Sequence, residues 1–119
     1  MTINTSVWAI QILAAVGFAA TGLMKLFRSK AQLEADPRMG WVHTFSEGQI
    51  KLLGAAEVLG AIGLLVPALT GIAPRLARAA AVCLATLMGG AAATHAVRRE
   101  PAIPATVLAL FAMVIATFR

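Results

Sequence analysis

Residues 49–69 read QIKLLGAAEVLGAIGLLVPAL, an apolar run with a single carboxylate, Glu57, well inside it. The run has the roughly 20 residues that an α-helix needs to cross the hydrocarbon core of a bilayer. Pro67, and Gly71 just beyond the run, are residues that stop helices. We therefore predict a membrane-spanning helix that is closed by this proline and glycine and carries an ionisable side chain.

Three further apolar runs accompany this one, and they cover residues 6–27, 74–97 and 102–118. The first has no basic residue before it and is followed by more apolar sequence, so we interpret it as a retained helix and not as a secretory signal. Pro74 suits the first turn of the third helix. The pattern predicts an all-α fold in which residues 1–119 form one domain, a four-transmembrane-helix bundle of up-down topology.

The segment 28–48 is too polar to cross lipid, since it holds several charged residues together with Pro37 and Gly40. Trp41 lies in the middle of it, and an aromatic side chain flanked by polar residues favours the interface between membrane and water. We therefore predict a long interfacial loop between the first two helices, lying over the bundle.

The composition favours a bilayer over water as the solvent. The 119 residues are 60% hydrophobic and 13% charged, with a mean hydropathy of +0.84, whereas soluble domains are about half apolar and about a quarter charged. The net charge is +5, but the ten basic residues lie at the ends of the apolar runs and in the connections. Attraction to anionic lipid headgroups explains why the basic residues lie there, so nucleic acid is not indicated as a partner.

The basic residues also predict the orientation in the membrane. More of them lie in the connections after the first and third helices than at the opposite ends, so the positive-inside rule places both termini outside. The expected location is a bacterial cytoplasmic membrane. Cys83 is the one cysteine, which excludes an intramolecular disulfide and a multi-cysteine zinc site. No metal and no cofactor are predicted, although a quinone is left open.

Among the ionisable residues within or at the ends of the predicted spans, three stand out: Lys25, Glu57 and His95. Each costs about 2.5 to 3.5 kcal/mol on insertion scales and therefore needs an explanation. At 1.5 Å per residue, all three lie in the membrane half that the 28–48 loop covers. Small residues flank Glu57 on its helix face, which indicates burial against another helix. A buried carboxylate either takes up a proton or pairs with a cation, and Lys25 is the obvious candidate.

Further polar side chains should surround these three. Gln11 and Thr21 share a helix face with Lys25, and the loop offers Trp41 and Ser46 from above. A lidded polar pocket in an apolar wall is the default form of a small-molecule site. We predict that the acid/base residues are Glu57, Lys25 and His95, and that the substrate-binding residues are Gln11, Thr21, Trp41 and Ser46.

Each of the three ionisable residues also has a structural interpretation. Lys25 would extend to the headgroups, Glu57 would fix helix packing as the partner in an ion pair, and His95 would lie at the interface beside Arg98 and Arg99. These alternatives require no ligand.

The order of motifs suggests a family. The first helix ends in TGLMKL, residues 21–26, a polar loop follows, and the second helix contains GAAEVLGAIGLLVP, residues 54–67. With His95 near the end of the third helix, this pattern resembles the DoxX-like family of small four-helix membrane proteins over nearly the whole chain. The resemblance implies a fold and a location more than a chemistry, because the family is largely uncharacterised and some members are linked to quinone-dependent or redox-associated complexes. It carries over Lys25, Glu57 and His95 as a polar core without catalytic roles.

Two main functions fit the sequence. In the first, the protein binds or transforms a lipophilic small molecule, such as an epoxide, a terpenoid or a quinone, by acid/base chemistry. Whether it is an enzyme stays open; an enzyme of this kind would be a cofactor-independent isomerase, cyclase or epoxide hydrolase. In the second, it is a non-catalytic accessory subunit of a redox complex. Proton-coupled transport ranks last, because the chain has no tyrosine for an aromatic cage. A narrow bundle would enclose a ligand more readily as a homo-oligomer.

Overall fold

The computed structural model describes residues 2–73 and 75–119, and within them every regular element is helical, which confirms the all-α prediction. The elements follow in the order α1 (Ile3–Phe27), α2 (Lys30–Glu34), a 3₁₀ segment (Pro37–Thr44), α3 (Glu47–Thr70), α4 (Arg75–Val97) and α5 (Ile103–Phe118). Pro74, predicted to lie in the first turn of the third helix, falls outside the described residues.

Three of these helices, α1, α3 and α4, are long and apolar enough to cross a membrane by length and composition. Helix α5 is also apolar but has only 16 residues, which is about 24 Å of helix. The longest dimension of the molecule is 42 Å, close to the roughly 40 to 45 Å of a bilayer with its headgroups. These dimensions suit an integral membrane protein.

Apolar side chains cover the outside of the helices as well as the inside. Leu13, Leu59 and Leu110 are each more than half exposed, whereas Phe18 and Leu64 are fully buried in the core between the helices. Contiguous apolar surface of this kind is rare on a soluble monomer and is expected where helices face lipid. The apolar exterior of the helices is therefore suited to contact with lipid, as their apolar core is to packing against one another.

Helices α1 and α3 approach each other closely at two glycines. A Cβ atom on Gly22 would lie 2.7 Å from the Gly54 carbonyl oxygen, and a Cβ atom on Gly54 would lie 2.7 Å from the Gly22 carbonyl oxygen. Any side chain at either position would therefore push the two backbones apart. Close backbone approach through small residues is the usual way in which helices pack in lipid, where no hydrophobic force drives them together.

The ends of α3 follow from its local sequence. Ser46 is the N-cap, and its hydroxyl accepts a hydrogen bond from the Gln49 N–H while the Gln49 side chain accepts one from the Ser46 N–H. Gly71 ends the helix with φ 72°, a left-handed conformation that glycine adopts without strain. Pro67, predicted as a stop signal together with Gly71, instead lies inside the helix, which continues to Thr70.

Residues 28–48, predicted as one long loop, contain α2 and the 3₁₀ segment, which we together call the lid. A small apolar cluster beneath the lid attaches it to α3, because Leu33 and Val42 of the lid pack with Ile50 and all three are buried. Ser29 caps α2 with a reciprocal pair of hydrogen bonds to Gln32. The lid is therefore a folded cover over the ends of α1 and α3.

Candidate functional site

An ion pair between Lys25 and Glu57 joins α1 to α3 in the interior of the protein. Lys25 Nζ lies 2.5 Å from Glu57 Oε1, and the Thr21 hydroxyl oxygen lies 2.5 Å from the other carboxylate oxygen, Oε2. Glu57 is 1% exposed and Lys25 is 8% exposed. Both carboxylate oxygens therefore have a partner, and the pairing with Lys25 that the sequence suggests is present.

The local sequence explains why these groups meet. Thr21 and Lys25 are four residues apart on α1 and so lie on one face, one turn from each other. On α3, Gly54 precedes Glu57 by three residues and shares its face. The contact between Gly54 and Gly22 brings the helices close enough for the carboxylate to reach both α1 side chains directly.

The Thr21 hydroxyl has a single proton and several acceptors within reach. Besides Glu57 Oε2, the Gly17 carbonyl oxygen lies at 3.1 Å and the Phe18 carbonyl oxygen at 3.3 Å. Threonine in a helix commonly donates back to such a carbonyl. When it does so here, Glu57 Oε2 becomes available to another donor while Oε1 keeps its ion pair.

The indole ring of Trp41 covers the ion pair from the side of the lid. Lys25 Nζ lies 5.5 Å from the centre of the ring, within the range of a cation–π interaction. The other contacts of the ring are edge-on, with Phe45 at 5.8 Å and His95 at 6.5 Å between ring centres. We call Thr21, Lys25, Glu57 and Trp41 the lid-side cluster. His95 contacts the cluster only through the Trp41 ring.

His95 takes part in a separate set of contacts that fastens the lid to the end of α4. Its Nδ1 lies 3.0 Å from Glu100 Oε1, which also accepts a hydrogen bond from Arg98 Nε at 3.0 Å. The Arg98 guanidinium then donates to the Thr44 hydroxyl at 2.9 Å and to the Gly40 carbonyl at 2.8 Å. We call these five residues the latch.

Lys51 holds the end of α1 against α3. Its ammonium group donates to the carbonyl oxygens of Lys25, Leu26 and Arg28 at 3.2, 2.7 and 2.8 Å. The last carbonyls of a helix lack partners within the helix, and a cation placed there satisfies them and complements the helix dipole. Lys51 therefore fixes the backbone that carries Lys25.

Two of the predicted substrate-binding residues lie away from this cluster. Ser46 caps α3. Gln11 is fully buried at the opposite end of the helices, where its side-chain N–H donates to the Leu64 carbonyl and its oxygen accepts from Arg119 Nε at 2.8 Å. Arg119 also donates to the Asn4 side-chain oxygen at 2.8 Å. The structure thus brings together Thr21, Lys25, Glu57 and Trp41, with His95 in contact with the indole, and separates Gln11 and Ser46 from them.

Two surface grooves lie near the ends of α4 and α5, and neither is lined by Lys25 or Glu57. One groove of about 290 Å³ lies beside the latch and is lined by Thr44, Ala93, Thr94, Val97 and Arg98. The other, of about 240 Å³, is lined by Ala102, Ile103, Thr106 and Val107. Among the described residues there is also no group of three or more His, Cys, Asp or Glu side chains that could hold a metal ion.

Sequence reasoning gave no site role to three residues that support the lid-side cluster or the latch, Lys51, Arg98 and Glu100, or to Arg119 at the opposite end. Charges at helix ends are normally explained by topology, and the sequence offers no signal that distinguishes Arg98 from its neighbour Arg99. Lys51 is different, because it lies two turns before Glu57 on α3 and inside the predicted span. The cost of inserting a lysine there was a signal that it has a partner.

Bilayer-length apolar helices around a buried ion pair define this chain as an integral membrane protein. Residues 9–118 match the DoxX-like family, and the chain belongs to that family. No curated protein and no solved structure matches the chain.

Proposed function

We propose that the protein binds a lipophilic small molecule at the lid-side cluster and transforms it by acid/base chemistry at Glu57 and Lys25. The observation that carries the proposal is the buried ion pair beneath an aromatic side chain. Burying two charges seldom adds net stability, since a well-packed apolar pair of similar volume does as well or better. The presence of the Lys25–Glu57 ion pair between two apolar helices therefore favours a chemical role over a purely structural one.

The arrangement suggests how the two charges would act. A substrate oxygen that entered from the Trp41 side would accept a hydrogen bond from the Lys25 ammonium, which already faces that ring. Glu57 would then take a proton through Oε2, the oxygen whose threonine donor has other acceptors. A donor and an acceptor placed side by side suit the opening of an epoxide, an isomerisation or a cyclisation, as well as hydrogen bonding to a quinone carbonyl.

His95 would act at a distance in this scheme. Because His95 contacts Trp41 and is bonded to Glu100, it would exchange protons with the site only when the lid moves. The latch holds the lid through Arg98, whose contacts with Gly40 and Thr44 would have to open for a ligand to reach the cluster. In this scheme the ligand would enter by the groove that Thr44 and Arg98 line.

We further propose that the shorter helix α5 crosses the membrane together with α1, α3 and α4. The supporting contact is between the two ends of the described chain, where Arg119 donates to Asn4 and Gln11. Ends that meet at one end of the bundle require an even number of crossings, so α5 would cross together with the three longer helices. The positive-inside rule places these ends outside a bacterial cytoplasmic membrane.

The test is native mass spectrometry of the protein purified in mild detergent, with extraction and identification of the small molecules that accompany it. We expect one lipophile per ligand-binding unit, lost in Glu57→Gln and kept in Glu47→Gln. The control removes the same charge from an exposed position on the same helix. Equal retention of the lipophile in both variants would contradict the proposal. The mass of the intact complex also reports whether the unit is a homo-oligomer.

A second candidate is a non-catalytic accessory subunit of a redox complex. It is favoured by the saturation of the lid-side cluster, in which both carboxylate oxygens are paired and neither groove reaches the pair. In that case the purified protein would carry no lipophile, and crosslinking in membranes would attach its lid to a redox protein.

A further inference from the structure

A second polar site lies at the end of the helices opposite the lid, with Arg119 at its centre. Its guanidinium donates from Nε to Gln11 and from Nη1 to Asn4, both at 2.8 Å. The guanidinium carbon, Cζ, lies 5.0 Å from the centre of the Trp8 ring. We call Asn4, Trp8, Gln11 and Arg119 the far-end cluster.

Gln11 fixes the position of the guanidinium. Its side-chain N–H is engaged with the Leu64 carbonyl of α3, which leaves its oxygen directed at Arg119. Gln11 is fully buried and lies eight residues beyond Ile3, the first residue of α1, which is about 12 Å along the helix. Arg119 is therefore drawn inwards along the bundle, although an arginine at a helix end can usually extend to the headgroups.

The guanidinium is incompletely satisfied in this position. Arg119 Nη2 is buried and has no hydrogen-bond partner among the described residues. Its two acceptors are neutral amides. The acidic side chains of the chain lie elsewhere, in the lid, in the lid-side half of α3 and in the connection between α4 and α5: Glu34, Asp36, Glu47, Glu57 and Glu100. A cation with a buried, unpartnered donor nitrogen and no acidic side chain near it is in the state that an external anion would complete.

We propose that the far-end cluster binds the phosphate headgroup of an anionic amphiphile. The planar fork of a guanidinium matches two phosphate oxygens, so Nη2 would donate to one oxygen and Nη1 would exchange Asn4 for the other. Trp8 covers the guanidinium and would turn aside to admit the headgroup. The amphiphile would place its tail along α1, where Ile12 and Leu13 next to Gln11 are apolar and at least half exposed.

The experiment is native mass spectrometry of the detergent-purified protein titrated with dioleoyl phosphatidic acid. We expect one adduct per chain, at least tenfold weaker in Arg119→Gln and within twofold of the original protein in Arg75→Gln. Arg75 is exposed at the start of α4, at the same end of the bundle, so its variant removes the same charge outside the cluster. Arg119→Lys should be intermediate, because it keeps the charge and loses the fork.

A variant that keeps the fold intact gives a second test. Asn4→Asp preserves the acceptor for Arg119 and supplies the missing negative charge from within the chain, so it should weaken phosphatidic acid binding at least fivefold while raising the melting temperature. Unchanged binding in this variant would overturn the proposal even if Arg119→Gln fails to fold.

Two further ligands test whether the phosphate, the acyl tails or both are needed for binding. Dioleoylglycerol, which has the same tails without phosphate, should give no adduct that depends on Arg119. Inorganic phosphate should bind at least a hundredfold more weakly than phosphatidic acid. Equal binding of the two would contradict the proposal that the ligand is an amphiphile and would show that the cluster binds a free oxyanion. Equal losses in Arg75→Gln and Arg119→Gln would also overturn the proposal, because they would show diffuse attraction by the arginines at this end. None of these readouts depends on what the lid-side cluster does.

Discussion

The lid-side cluster and the far-end cluster each hold one cation at an end of the helix bundle, but the two cations have different partners. Lys25 has a carboxylate partner on the next helix and a covering indole. Arg119 has two amide oxygens, an indole and one nitrogen without a partner. Where dielectric screening is weak, the first arrangement is complete by itself, whereas the second is completed by a charge from outside the chain. The comparison separates a site that rearranges internally from one that recruits an anion.

The largest expected effect comes from breaking the internal pair. Glu57→Leu leaves the Lys25 ammonium buried without its counter-ion and should lower the free energy of unfolding by about 3 to 5 kcal/mol, as for other broken buried pairs. The double variant Lys25→Met/Glu57→Leu removes both charges and should recover most of that loss. Unfolding in mixed micelles with increasing dodecyl sulfate measures both. A double variant as unstable as the single one would show that desolvation of Lys25 is not the cause.

The next effect tests the helix contact beside the pair. Gly22→Ala puts a Cβ atom 2.7 Å from the Gly54 carbonyl oxygen and should cost about 1 to 3 kcal/mol, the usual range for overpacking. The matched control is Gly90→Ala on α4, where a Cβ atom would meet nothing within 4 Å. The same unfolding assay applies. Equal costs at the two glycines would mean that the close approach of α1 and α3 is not what positions Glu57.

A smaller effect is expected at the far-end cluster. Gln11→Leu removes an acceptor from Arg119 and the donor to the Leu64 carbonyl, at a cost of about 1 kcal/mol. The cost is lower than for Glu57→Leu because Arg119, at the end of α5, can turn to the lipid headgroups, whereas the buried Lys25 cannot. Combining Gln11→Leu with Arg119→Met should add little. A loss as large as that of Glu57→Leu would remove the distinction between the two clusters.

The smallest effect concerns the cover of the lid-side cluster. Arg98→Gln opens the latch, so backbone amides of the 3₁₀ segment should exchange with deuterium several times faster, while global stability changes by less than about 0.5 kcal/mol. Arg99→Gln removes the same charge from the next, exposed position and serves as the control. Unchanged exchange around Gly40 and Thr44 in Arg98→Gln would show that the apolar contacts beneath the lid hold it without the latch.

The sequence was informative wherever a residue type conflicted with its surroundings. A glutamate inside an apolar run is readily recognised as a residue that needs a partner. Gly54 and Gly22, three residues before Glu57 and Lys25 respectively, indicate close packing on the same helix faces. Both features follow from helical geometry alone. The Lys25–Glu57 contact could therefore be predicted before the fold was seen, whereas its functional role stays a prediction.

Other residues needed the structure. Arg119 looks like any basic residue at the end of a span, and only the arrangement of α1 and α5 shows that it bonds to Gln11. Ser46 was assigned to substrate binding, although Gln49 three residues later forms the pattern of a capping box, a signal that sequence reasoning could have used. The folded structure of residues 28–48 depends on the packing of Leu33 and Val42 against Ile50. This is a tertiary contact that the polarity of the segment does not reveal.

The 16 residues of α5 carry a consequence for the lipid around the protein. Under the proposed four-crossing topology, α5 supplies about 24 Å of apolar length where the hydrocarbon core measures about 30 Å, while α1 with 25 residues exceeds it. Hydrophobic mismatch would then differ around the circumference, and the bilayer would thin beside α5 to meet Arg119. A protein built this way should prefer shorter acyl chains, and its thermal stability should be greater in bilayers of 14-carbon than of 22-carbon lipids.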